Sequence, residues 1–105
     1  MVFAETNIMY RTNIAVLPVT ICIECPYLSQ SGKYRTKIHF KGLWDEPQEI
    51  CGEDSFQSLM LAVKVIKDCL CAFINNDGNG LYCYEEKQKE LIPKDLSIWG
   101  WKIII

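Results

Sequence analysis

Gly52-Glu-Asp-Ser-Phe-Gln-Ser-Leu-Met-Leu-Ala-Val-Lys-Val-Ile-Lys-Asp-Cys-Leu-Cys-Ala-Phe73 is the stretch whose reading decides the fold of this chain. Asp54 and Gln57 have capping-box spacing: the carboxylate takes an orphan N–H of the first turn while the Gln57 amide reaches back to the cap residue. The helix is therefore expected to begin at Ser55. From there Phe56, Leu59, Met60, Val63, Ile66, Leu70 and Phe73 recur at intervals of three and four, the stripe an amphipathic helix lays on a core. Leu61, Ala62, Val65, Cys69 and Ala72 widen that stripe, leaving Gln57, Lys64, Lys67 and Asp68 as a narrow polar edge. Such a helix is expected to be covered on most of its circumference, first by a curved sheet of the same domain and second by a dimer contact.

The residues before the helix have period two. Over residues 14–25, Ala15, Leu17, Val19, Ile21, Ile23 and Cys25 form an apolar odd face, with Thr20 and Glu24 on the other. Over residues 34–42, Tyr34, Ile38 and Phe40 alternate with Arg35, Lys37, His39 and Lys41. One antiparallel hairpin, turning through residues 26–33, accounts for both. Pairing Cys25 with Tyr34 sets Ile21 opposite Ile38 and Val19 opposite Phe40 in the core, and Glu24 opposite Arg35 outside. Val2 to Arg11 reads as an earlier strand, residues 48–51 as a short one entering the helix, and residues 80–84 as one following it. A charged stretch then runs from Glu85 to Glu90, and Pro93 to Asp95 marks a turn. The expectation is a single α+β domain over residues 1–105, an antiparallel sheet of about four to five strands packed on one central helix.

Composition narrows the function classes. The 105 residues are half hydrophobic and carry a net charge of −2, enough for one core and without the clustered Lys and Arg that nucleic acid requires. No apolar run approaches the roughly 20 residues that span a bilayer, and the N-terminus has no charged start followed by an apolar stretch, which points to the cytoplasm. The last segment, Ile98-Trp-Gly-Trp-Lys-Ile-Ile-Ile105, is too apolar for a free tail and is expected either to pack on the domain or to join a protein contact. Of the six cysteines, Cys22, Cys25, Cys51, Cys69, Cys71 and Cys83, several fall on core faces, so reduced, buried thiols are expected. Cys22-Ile-Glu-Cys25 has metal-pair spacing, but in a strand residues three apart point to opposite faces and cannot share an ion. No metal and no cofactor is expected.

His39, the only histidine, reads as an exposed member of the basic outer face, with Cys22 the nearest nucleophile on that face; no local motif supports a Cys-His enzyme. The ridge of Arg35, Lys37, His39 and Lys41 could meet an acidic partner, though such charges ordinarily keep a wet sheet face soluble. Asn75-Asn-Asp-Gly-Asn-Gly-Leu-Tyr-Cys-Tyr-Glu-Glu86 resembles an EF-hand calcium loop, with Asn75, Asp77, Asn79 and Glu86 at ligand positions and Gly80 at the turn. Against it, Asn replaces the first Asp, there is no partner hand, and the following residues alternate like a strand. Asn-Asp-Gly-Asn-Gly also suits a helix end and tight turn.

The run Gly52-Glu-Asp-Ser-Phe-Gln-Ser-Leu-Met-Leu-Ala62, after the two strands, resembles a family of small uncharacterised bacterial proteins in which a Gly-x-Asp-Ser-[Leu/Phe]-Gln-Ala-Leu-like helix start follows several strands. The resemblance covers about three quarters of the chain; Ser58 stands where Ala is expected, and the C-terminal segment matches nothing in it. It implies a fold and a bacterial cytoplasmic setting, with no activity attached.

The leading expectation is a non-enzymatic protein-binding domain, monomer or homodimer, and within that class an immunity protein that neutralises a toxin domain in competition between bacteria. Its motive is the surplus of exposed-looking aromatics, Tyr27, Trp44, Trp99 and Trp101, and the expected binding residues are Trp44, Trp99 and Trp101. The rival is a small-ligand or calcium-binding protein using the curved sheet and the 75–86 loop. An enzyme using Cys22 or His39 comes third.

Overall fold

The structure, a computed structural model, describes residues 1–74, 80–85 and 90–93. In chain order the elements are β1 (Val2–Arg11), β2 (Val16–Glu24), β3 (Tyr27–Leu28), β4 (Tyr34–Lys41), β5 (Gln48–Gly52), α1 (Ser55–Ile74), β6 (Gly80–Glu85) and β7 (Glu90–Pro93). All strand pairs are antiparallel and belong to one sheet, in which β4, β2, β1, β6 and β7 are successive neighbours and β5 pairs with β4. This is the α+β arrangement the sequence predicts. The short strands β3 and β7 add to it; β7 lies where the sequence suggested a charged stretch and a turn.

The hairpin faces agree with expectation, but its register differs. Ile21 pairs with Phe40, Cys22 with His39 and Ile23 with Ile38, two residues from the expected alignment. An even slip keeps every side chain on its face. Its cause is β3, which extends the hairpin so that Tyr34 pairs with Leu28 instead of Cys25. From Ile23 to Tyr27 is four steps, while their partners Ile38 and Arg35 are three apart, so one extra residue bulges at Cys25–Pro26. Proline, having no N–H to offer the ladder, suits such a site.

The helix start is as expected at its first residue. The Gln57 N–H donates to Asp54 Oδ1 at 2.7 Å, and the Glu53 N–H donates to Gln57 Oε1 at 2.6 Å, so the amide reaches one residue beyond the cap. The rotation of the helix differs from the expected one. Its buried line is Ser58, Ala62, Ile66 and Leu70, four apart, while Phe56 is 72% exposed and Leu61 39%. Among the described residues the helix is therefore fully buried along one line, with Val65 and Cys69 partly buried against the core beside it, and is not covered around most of its circumference.

Close approach explains the rotation. A Cβ on Gly52 would lie 2.4 Å from the Ser58 backbone nitrogen, so only glycine lets β5 turn this tightly under the first helical turn. The Ser58 hydroxyl then reaches Thr36 Oγ1 at 2.7 Å and donates to the Ile50 carbonyl at 2.9 Å, both in the sheet below. Thr36 and Ser58 are fully buried, and this satisfied polar pair fixes which side of α1 meets β4 and β5. Ala62, Ile66 and Leu70 then join Ile8, Tyr10, Val19, Ile21, Ile38 and Phe40 in one core.

Candidate functional site

Because α1 lies mainly against β4 and β5, the sheet is unevenly covered. Between the helix and the first half of β1 lies an open groove of about 420 Å³. Ala4, Thr6, Ile21 and Ile23 form its floor, Val63 and Ile66 its helical wall, and Glu5 stands at its rim. The floor residues share a face because the register sets Thr6 opposite Ile21 and Ala4 opposite Ile23. Phe56 and Val63, two turns apart on the helix, lie on one flank, so the exposed Phe56 ring stands on the same side of α1 as the groove wall.

The other face of the sheet carries the polar residues. Arg35 Nη1 lies 3.1 Å from Glu49 Oε2, Lys37 Nζ lies 3.9 Å from Glu49 Oε1, and Tyr27 donates its hydroxyl to Glu49 at 2.9 Å. The Tyr27 hydroxyl, then the arginine, holds the Glu49 carboxyl below its ordinary range. The same bond raises the Tyr27 pKa. His39 Nε2 is 2.5 Å from Glu24 Oε2, and this bond lowers the Glu24 pKa. The expected basic ridge is thus flanked by carboxylates on both sides. The expectation of an exposed histidine is corrected as well: His39 is half-buried and paired, because the true register brings Glu24 diagonally to it and gives Arg35 to Glu49.

Cys22 faces His39 across the ladder, and Glu24 holds the imidazole, an order reminiscent of nucleophile, base and orienting acid. The thiol is only 1% exposed, however, and burial pushes its pKa up. A nucleophilic cysteine needs the opposite, an accessible thiolate. Of Cys22, Cys25, Cys51, Cys69 and Cys71, Cys22 alone is buried; Cys51 is exposed and the other three are half-buried, so among these five the expectation of buried thiols holds at one position. Among the described residues no group of three or more His, Cys, Asp or Glu side chains is arranged to hold a metal ion. Nor is any described helix long and apolar enough to cross a membrane.

Trp44 is 41% exposed and packs edge-to-face on Phe40, with ring centroids 4.9 Å apart. It follows the end of β4, where Gly42 (φ 104°) abuts the Pro18 carbonyl, away from the groove. Trp99 and Trp101 lie outside the described residues, as do Asn75, Asp77, Asn79 and Glu86 of the calcium-like loop. Residues 80–85 of that loop form β6, an extended strand paired with β1 and β7, where an EF-hand loop would lead into a helix. The groove was missed in sequence because a helix apolar on most sides does not announce which flank stays uncovered. The only signal was the small pair Ser58 and Ala62, four apart, marking the side of closest approach.

The class these observations define is an α+β domain with one helix laid off-centre on an antiparallel sheet and, among the described residues, an apolar corner left open. No protein-family model, no curated protein and no solved structure matches the chain.

Proposed function

We propose that this chain is a non-enzymatic protein-binding domain that receives its partner on the apolar corner between α1 and the first half of β1. The groove with its exposed Phe56 carries this reading: hydrocarbon gathered on one open surface gains free energy when a partner removes it from water. The covered, neutral thiol of Cys22 argues against the nucleophile that an enzymatic reading would use. Within the binding class, the specific proposal is an immunity protein that neutralises a toxin, in a bacterial cytoplasmic setting. The resemblance of the 52–62 run to small bacterial proteins supports the bacterial setting, and the exposed Trp44 suits a protein contact.

The product of a reading frame directly upstream of the gene supplies the test. Titrated by calorimetry, it should bind the wild-type domain, and Val63→Arg should weaken binding at least tenfold, a loss of about 1.4 kcal/mol, while the fold melts normally. Absence of any toxin-like product upstream would remove the immunity reading; binding indifferent to Val63→Arg would remove the groove. A second reading is favoured by the groove's volume, which falls within the roughly 300–1,000 Å³ of small-molecule sites. An apolar small molecule that displaced the partner would bring that reading forward.

A further inference from the structure

The two edges of β1 are used unequally. On one side β2 pairs with it along nearly its whole length, from Val2 to Arg11. On the other, β6 pairs only with Met9, Tyr10 and Arg11; beyond Tyr82 it stays with β7 and leaves β1. Among the described residues, the outer edge of β1 over residues 4–8 therefore has no ladder partner. Backbone donors and acceptors along such an edge form a ready template for another strand. This edge also borders the groove, whose floor includes the inward side chains of Ala4 and Thr6.

Charge gives the template a preference. Glu5 is exposed on the outward face opposite Cys22, and among the described residues it belongs to no ion pair, unlike Glu24 and Glu49. A strand laid along β1 would set one outward residue opposite Glu5 with its Cβ about 5 Å from that of Glu5, where a cation is favoured and an anion is not. We infer that the partner contributes an extended strand that pairs with residues 4–8 of β1, turning alternate apolar side chains into the groove and a lysine or arginine toward Glu5. The inference rests on the protein-binding reading and specifies the partner's chemistry. Main-chain pairing supplies affinity in this mode, and the alternating side chains supply selection. A partner helix or a small apolar ligand would fill the groove but leave the edge of β1 open.

The probe is a nine-residue peptide, capped at both ends, that alternates valine with lysine. Its binding should slow hydrogen exchange at edge amides of residues 4–8. A twin with glutamate for lysine should bind at least tenfold more weakly, and Glu5→Lys should reverse that order. Twins N-methylated at every second residue, made in both phases, should lose binding in at least one phase. Equal affinity for both methylated twins and the parent, or binding without slowed exchange at residues 4–8, would overturn the strand pairing. So would the absence of binding at millimolar peptide. The groove itself is judged separately, by the response of the upstream complex to Val63→Arg.

Discussion

Ile38 and Ile23 face each other across β4 and β2, yet Ile38 is fully buried under α1 while Ile23 keeps part of its surface at the groove. The same residue type, in one cross-strand pair, thus belongs to two regions built differently. Around Ile38 a glycine, a buried hydroxyl pair and small helical residues draw α1 onto β4 and β5. Around Ile23 and Ala4, among the described residues, no such contact draws the helix down, and the apolar floor stays open. The lesson is that close approach on one side of a helix is achieved by withdrawing cover from the other, and the withdrawn side is where the proposed partner would have something to gain.

The sharpest way to break this comparison is to truncate both isoleucines. Ile38→Ala should cost about 4 kcal/mol, near the top of the range for such changes, because the surrounding core cannot collapse into the cavity. Ile23→Ala should cost about 1 kcal/mol, since water already reaches its site. Urea unfolding of both variants checks it, and equal losses would erase the distinction between the regions.

Gly52→Ala comes next. The new methyl would meet the Ser58 backbone, which cannot swing aside as a side chain would, so a loss of about 3 kcal/mol is expected. Thermal melting should show a drop of more than about 10 °C for a domain of this size.

Ser58→Ala should cost about 2 kcal/mol by stranding the buried Thr36 hydroxyl, and Thr36→Val in the same chain should restore part of it. A double-mutant cycle measures the coupling; simple additivity would mean the pair does not hold the helix. The pair also gives Ser58 a buried role that alanine could not fill.

The smallest effect is on the outer face and depends on pH. Hydrogen bonding to His39 lowers the folded-state pKa of Glu24 below its ordinary 4.5, so the pair's contribution is present above that pH and is lost as pH falls through the lowered value. The melting temperature of the wild type should therefore fall more steeply below about pH 4.5 than that of Glu24→Gln. Parallel slopes would show that the pair adds nothing.

What could be read from the residues alone follows the range of each signal. Asp54 and Gln57 act within one turn, so the helix start was legible to the residue. Strand faces were legible because alternation survives any even slip. The register was not, because Pro26 and the surrounding turn residues hid the two-residue β3 that resets it, and with it the His39–Glu24 pair. Leu91 and Ile92 were too short an apolar run, beside a charged stretch, to reveal β7. The rotation of α1 depended on Gly52, Ser58 and Ala62 together, three small residues whose meaning appears only against β5. Of the expected site, Trp44 is exposed as anticipated, but the open corner needed the sheet's topology to be seen.

Residue-resolved amide exchange of the free domain tests the central asymmetry most directly. Under conditions where Thr36, Ile38 and Phe40 exchange only through global unfolding, the β1 amides of residues 4–6 that are bonded to β2 should exchange at least about 100-fold faster, through local opening of the uncovered corner. Equal protection of the two sets would contradict the account, because it would mean the corner is held as firmly as the half beneath the helix.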